Sequence, residues 1–167
     1  MQKVDQIVTA LNLLPHPEGG FYKEVYRSNG SIPKQVLPNY FNGDRNYATS
    51  IYFLLSGQNF SAFHKINQDE TWHFYQGDAI KIHMIHPDRK YTTQLLGLDL
   101  AAGIEPQFTV PAHVWFAAQV MQPNGYSLLG CQVSPGFDFA DFNLAKRDEL
   151  SAEFPQHTHI IKTYTRA

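Results

Sequence analysis

The stretch His64-Lys65-Ile66-Asn67-Gln68-Asp69-Glu70-Thr71-Trp72-His73-Phe74-Tyr75-Gln76-Gly77 decides the architecture. Apolar and polar residues alternate on both sides of Asn67-Gln68-Asp69, three residues of the kind that make turns. Successive side chains of a strand point to opposite faces. Ala62, His64 and Ile66 therefore share one face, and Glu70, Trp72 and Phe74 share one face of the next strand. Alanine, isoleucine, tryptophan and phenylalanine belong inside, and they carry His64 and Glu70 in with them. The alternation predicts two strands flanking a tight turn, with the imidazole and the carboxylate facing each other across a hairpin.

Working outward, candidate strands lie at 21–27, 46–55, 60–66, 70–76, 79–86, 91–98, 106–110, 113–121 and 126–134. Ser56-Gly57, Gly77-Asp78, Pro87-Asp88, Ala102-Gly103 and Pro123-Asn124-Gly125 punctuate them with turn chemistry. Short strands at this spacing, without helical stretches between them, point to a sandwich or barrel and away from alternating β-α-β units. Phe 12, Tyr 9 and Trp 2 agree, because aromatic residues suit a pleated, half-buried surface.

At the N-terminus, Val4, Ile7, Val8 and Leu11 form the apolar stripe of a short helix. It ends before Pro15, since the residue preceding a proline is pushed out of the helical region. His16-Pro17-Glu18-Gly19-Gly20 is then a turn, residues 28–44 a polar excursion, and 144–154 a second short helix stopped at Pro155. With no linker or repeat, one domain spanning 1–167 is expected.

A net charge of −2 with scattered basic residues leaves no stripe to neutralise a phosphate backbone or an anionic membrane. Nucleic acid and membrane are not expected partners. The N-terminal segment lacks the basic start and apolar run of a signal peptide, and the single Cys131 excludes an internal disulfide. A cytoplasmic location is expected.

The spacing of His64, Glu70 and Gly77 resembles the first motif of the cupin superfamily, a glycine, His-x-His, a glutamate and a closing glycine. The second histidine falls on Ile66 and the opening glycine on Gln58. Pro111-Ala112-His113-Val114-Trp115-Phe116 resembles the second motif, Pro-x-Gly-x-x-His, with His113 at the glycine and Phe116 at the histidine. His16-Pro-Glu-Gly-Gly20, Asp69-Glu-Thr-Trp-His73, Val110-Pro-Ala-His-Val-Trp115 and Pro135-Gly-Phe137 resemble a narrower branch, the cupin-five family, over nearly the whole chain. This resemblance implies an all-β cupin-type jelly-roll barrel, often paired as a homodimer, and it supplies no reaction.

The usual cupin metal set is three histidines and one glutamate, of which His64 and Glu70 remain, so no metal or other cofactor is expected. His73 and His113 are the residues that would complete a ligand set; His73 needs a bulge to turn inward, since on a regular strand it faces away from Glu70. A metal-free sugar epimerase of the same barrel would use His64 as base and an acid on strand 126–134. There Leu129 and Cys131 are the inward candidates and no central tyrosine stands.

Three function classes follow. An enzyme acting without metal on a small polar or sugar-like ligand would use His64 and Glu70 as catalytic residues. A non-catalytic binding module would use the same lumen, with Trp72 or Trp115 as a stacking platform and Glu18, His73 and His113 as further ligand contacts. A metal-dependent oxygenase needs the third ligand. His83 and His86 read as surface or dimer-interface residues, and His157 and His159 as a solvated pair on one strand face.

Overall fold

In the computed structural model, which describes residues 3–166, a helix α1 (Lys3–Leu11) precedes thirteen strands and two further helices. The strands are β1 (Leu14–Pro15), β2 (Phe21–Arg27), β3 (Ser31–Ile32), β4 (Arg45–Asn46), β5 (Thr49–Ser56), β6 (Phe60–Lys65), β7 (Asp69–Gly77), β8 (Ile80–Ile85), β9 (Tyr91–Leu96), β10 (Gln107–Val110), β11 (Trp115–Val120), β12 (Tyr126–Ser134) and β13 (Asn143–Leu144). The helices α2 (Arg147–Glu153) and α3 (Thr158–Thr163) close the chain. A six-stranded sheet, β1-β2-β5-β12-β7-β10, faces a five-stranded one, β13-β6-β11-β8-β9, and β3 with β4 forms a small ribbon. The two sheets make a jelly roll.

Every long strand forecast by alternation is present. The hairpin between 64 and 70 is not: β6 pairs with β11 and β13, and β7 pairs with β12 and β10. The connection crosses from one sheet to the other. Gln68 explains the corner, because its buried amide donates to Asp141 Oδ2 at 2.7 Å and to the Gly136 carbonyl at 3.3 Å and so is held by a distant segment. His64 and Glu70 do point inward, from opposite sheets.

The register builds the lumen in layers. Phe53 lies beside Leu129, which lies beside Phe74; next come Ile51, Cys131 and Trp72; then Thr49, Val133 and Glu70. Leu55, Ile82, Leu96, Phe116 and Ala118, all almost fully buried, pack with Phe53, Leu129 and Trp72 in one core. The Thr49 layer has no such filling, and that end of the barrel stays open.

The outer faces are covered unequally. Ile7 and Leu13 pack on Leu54 over part of the six-stranded sheet. Residues of α2 and α3, with Phe154 and Tyr164, cover Phe63, Ile85 and Ala117 on the five-stranded one. This cover changes the status of His83, whose ring stacks on Tyr164 at 4.6 Å and meets the Tyr91 hydroxyl at 2.6 Å. It is 4% exposed and lies beneath its own chain, not on the surface. His86 is half-buried, with Nε2 2.7 Å from the Thr92 hydroxyl. His157 and His159 lie on helical turns instead of a strand. Among the described residues, no helix is long and apolar enough to cross a membrane.

Candidate functional site

The turn after β1 sets the site. Gly19 has φ +118° and Gly20 +75°, a left-handed region that side chains with a Cβ avoid. A Cβ on Gly19 would sit 2.2 Å from the Phe60 carbonyl oxygen. The turn therefore lies flat on β6, where Ala62 N donates to the Glu18 carbonyl at 2.8 Å. From outside, Arg166 Nη2 clamps it, donating to the carbonyls of Phe60 at 2.8 Å and Glu18 at 3.3 Å. The result pushes the Glu18 side chain into the lumen, where the residue is only 5% exposed.

There Glu18 Oε1 accepts from the Ser61 hydroxyl at 2.9 Å, and Oε2 lies 3.1 Å from His64 Nε2 and 3.4 Å from His16 Nδ1. The tautomers follow from geometry. His64 Nδ1 is 2.8 Å from the Ala62 carbonyl, which can only accept, so Nδ1 carries the proton and the Nε2 lone pair faces Glu18. His16 Nδ1 accepts from the Glu18 backbone N–H at 3.3 Å. The His16 lone pair is taken by that N–H, so the His64 Nε2 lone pair is the one left facing Oε2, and the arrangement is satisfied when that oxygen is protonated and donates to it.

Burial supports the neutral form of every member. It holds Glu18 well above the usual carboxyl range, with the nearby Glu70 charge adding to the effect and the Ser61 hydrogen bond opposing it. His64 falls to about 3, through burial first, and His16 to about 4 for the same reason. Across the lumen, burial raises Glu70 to about 7, against smaller lowering from the Cys131 thiol and the Trp72 indole. The indole N–H has no acceptor in hydrogen-bonding geometry, yet it lies close enough to pull the carboxyl down. The Cys131 thiol is pushed up by burial and by both carboxylates, so it is not an activated nucleophile.

These groups line a cavity of about 350 Å³. Its walls are Ile51, Ile66 and Val133 with the rings of Tyr22, Phe53, Phe137, Phe139 and Phe142, and its charged edge is Glu24, Arg27 and Asp138. The segment 137–142 forms one wall; Asp141 pins it from behind through a buried pair with Arg45, at 2.7 Å from both Nε and Nη2.

Of the residues singled out from sequence, His64, Glu70 and Glu18 meet in this cavity. Trp72 is 1% exposed and packs beneath it in the core. His73 stands on the outer sheet face, in register with Gly130 and Gln107. His113 is exposed, with φ +65°, its ring against Tyr40. Trp115 packs against the C-terminal helices, with Lys65 Nζ 4.6 Å from its ring centroid. None of these four lines the cavity. Sequence reasoning missed His16, Tyr22 and the phenylalanines of 137–142. His16 had a signal, since it stands two residues before Glu18 in a Pro/Gly-fixed turn; the 137–142 wall reads as plain aromatic loop.

The ligand set usual for a cupin metal does not fit these residues. Two of its positions are Ile66 and Phe116, which carry no donor atom, and His64 is already engaged by Glu18. Among the described residues, no group of three or more His, Cys, Asp or Glu is arranged to hold a metal ion.

Comparison with known proteins agrees with the fold. The family described as the cupin superfamily (DUF985), Cupin_5, matches residues 5–145. The chain is 32% identical over 159 residues to the uncharacterized protein YML079W of Saccharomyces cerevisiae, covering 88% of this chain and 78% of that protein. Among solved structures it is similar to protein SO0799 from Shewanella oneidensis, at 43% identity, TM-score 0.87 and 99% of each chain. It is likewise similar to a hypothetical protein from Leishmania major, at 32% identity, TM-score 0.88 and 100% of each. Oxalate decarboxylase from Bacillus subtilis shares the fold alone, at 12% identity and TM-score 0.54 over 90% of this chain and 36% of that one.

Proposed function

The chain belongs to the DUF985 branch of the cupin superfamily, and from that premise we propose that it is a metal-independent acid–base enzyme of isomerase type, acting on a small polar ligand in the barrel lumen. The observation that carries this reading is the coupling of two buried carboxyls held in different protonation states. Glu18 is protonated and hydrogen-bonded to the His64 lone pair, while Glu70 titrates near pH 7 across the same space. Environments that push paired groups apart mark an acid and a base.

Glu70 takes a proton from a hydroxyl-bearing carbon next to a carbonyl, and Glu18 donates its proton to the carbonyl oxygen, giving an enediol. Return of the proton from Glu70 to the former carbonyl carbon, with Glu18 recovering a proton from the other enediol oxygen, gives an isomer and restores the enzyme. A base whose pKa lies near the working pH is the efficient one, worth about 10²–10⁴-fold in rate. On this reading His64 holds and orients the Glu18 proton; it does not take one from the ligand. Tyr22, in contact with His16 at 4.6 Å between ring centroids, supplies a hydroxyl at the wall.

Ligands found by thermal shift are to be incubated with the protein in D2O and followed by NMR. Deuterium entering one carbon position with wild type, and not with Glu70→Gln or Glu18→Gln, is the expected result. The aromatic walls by themselves favour a second reading, a non-catalytic binding module. Saturable binding with no exchange at any carbon position would select it.

A further inference from the structure

We propose that the lumen selects a small organic cation, a protonated or quaternary amine, over neutral or anionic molecules of the same shape. The proposal rests on reading the lumen as a ligand site and names the chemistry of what enters.

The first support is the balance of charge. Four acidic side chains line the cavity, Glu18, Glu24, Glu70 and Asp138, against one guanidinium, Arg27. Arg27 is already spent: Nε and Nη2 donate to the Glu24 carboxylate at 2.9 and 2.8 Å, Nη1 to Asn46 Oδ1 at 2.8 Å, and Nη2 also to the Phe137 carbonyl at 3.1 Å. His16 and His64 turn lone pairs, not protons, toward Glu18. An entering carboxylate or phosphate would find no unpaired donor of positive charge and two carboxyl groups in its path.

The second support is the wall. Phe53, Phe139, Phe142 and Tyr22 line the cavity and stand within 4.6 to 6.2 Å of the His16 ring between centroids, so this part of the lumen offers aromatic faces and edges. Such faces attract a desolvated cation. With Ile51, Ile66 and Val133 they make the uncharged part of the wall, which offers few partners to a ligand rich in hydroxyls, and Thr49 Oγ1 there already accepts from Phe137 N. Each hydroxyl left without a partner there carries a desolvation cost.

The third is what a cation does for the floor. Glu18 and Glu70 repel each other when both are ionised, and among the described residues lining the cavity the one Lys or Arg is Arg27, held by Glu24. A bound ammonium offsets part of the burial cost of ionising Glu70. Cation binding therefore releases a proton below about pH 7, and affinity rises with pH until Glu70 is ionised in the free protein.

The test uses three probes of one skeleton: choline, its neutral isostere 3,3-dimethyl-1-butanol, and the anion 3,3-dimethylbutanoate. Isothermal titration calorimetry is run at pH 6 and 8 in two buffers of different ionisation heat, with Ile51→Trp as a variant whose lumen is filled. Choline is expected to bind about tenfold or more tighter than either analogue. It should release protons at pH 6, lose about tenfold in affinity in Glu70→Gln, and fail to bind Ile51→Trp. If the alcohol or the butanoate binds wild type as tightly as choline, and Ile51→Trp abolishes that binding, the cation proposal is overturned and the lumen remains a ligand site. If no probe binds wild type, or Ile51→Trp binds them unchanged, the lumen reading and the cation proposal fall together.

Discussion

Replacing Glu70 by glutamine tests the electrostatics of the site without any ligand. Burial raises the carboxyl from its ordinary value of 4.5 to about 7. A group whose pKa is raised on folding contributes stability that is fully present below the unfolded value and lost as pH rises through the folded one. Between pH 4.5 and 7 the unfolded chain therefore gives up this proton while the native protein keeps it. At about 1.4 kcal/mol per pKa unit, the cost to the native state reaches about 3 kcal/mol at pH 8 and stays under about 1 kcal/mol at pH 5.

Glutamine keeps the shape and never ionises, so the cost disappears. In a chain of this size about 2–4 °C of melting temperature accompanies each kcal/mol. Glu70→Gln should melt roughly 5–10 °C above wild type at pH 8 and within about 3 °C of it at pH 5, by calorimetry at matched ionic strength. A gain of equal size at both pH values, or a lower melting temperature at pH 8, would refute the reasoning. It would mean that the carboxylate has a partner that satisfies it.

Three further outcomes are expected. Arg45→Leu leaves Asp141 buried at 1% exposure without its guanidinium and should cost about 3–5 kcal/mol in urea unfolding; Arg45→Leu with Asp141→Leu should recover much of the loss, and no recovery would show that the pair does more than compensate itself. Gly19→Ala forces a Cβ onto the Phe60 carbonyl at a φ of +118° and should cost more than about 2 kcal/mol; a melting temperature equal to wild type would show that the turn can re-form without holding Glu18 where it is. The outer face around Thr71, His73, Tyr75 and Tyr52 is left open beside α1, so sedimentation equilibrium at micromolar concentration should return twice the chain mass; the mass of one chain would remove the dimer.

The fold was legible because alternation is a local property that tertiary structure then uses. Ala62, His64 and Ile66, and Glu70, Trp72 and Phe74, face inward as period-two patterning requires. What alternation cannot report is which strands pair. A three-residue connection between strands looks like a hairpin, and only the distant contacts of Gln68 with Asp141 and Gly136 turn it into a corner between sheets. His83 misled for a related reason: its exposure is decided by Tyr164, far along the chain. The same limit explains the site. His64 and Glu70 came from one motif, but the partner that touches His64 is Glu18, more than forty residues away and brought in by a glycine turn.

Two buried polar networks in this protein show what each is for. Asp141 receives both ends of the Arg45 guanidinium at 2.7 Å, with Gln68 at 2.7 Å and Asn67 at 3.3 Å completing it. Opposite charges, two-pronged geometry and filled donor sites are how a fold buries a carboxylate for structure. The lumen breaks each of those rules. Glu18 and Glu70 share a space with two neutral imidazoles and a protonated thiol, the Trp72 N–H lacks an acceptor, and the cavity above them is about 350 Å³. A sequence under pressure only for stability has an easy remedy, since glutamine at position 70 would remove the cost. Carrying two buried carboxyls with no cationic partner among the described residues at the floor of an aromatic cavity makes physical sense when something outside the chain completes them, and a bound cation would favour ionisation of Glu70 while Glu18 keeps its proton.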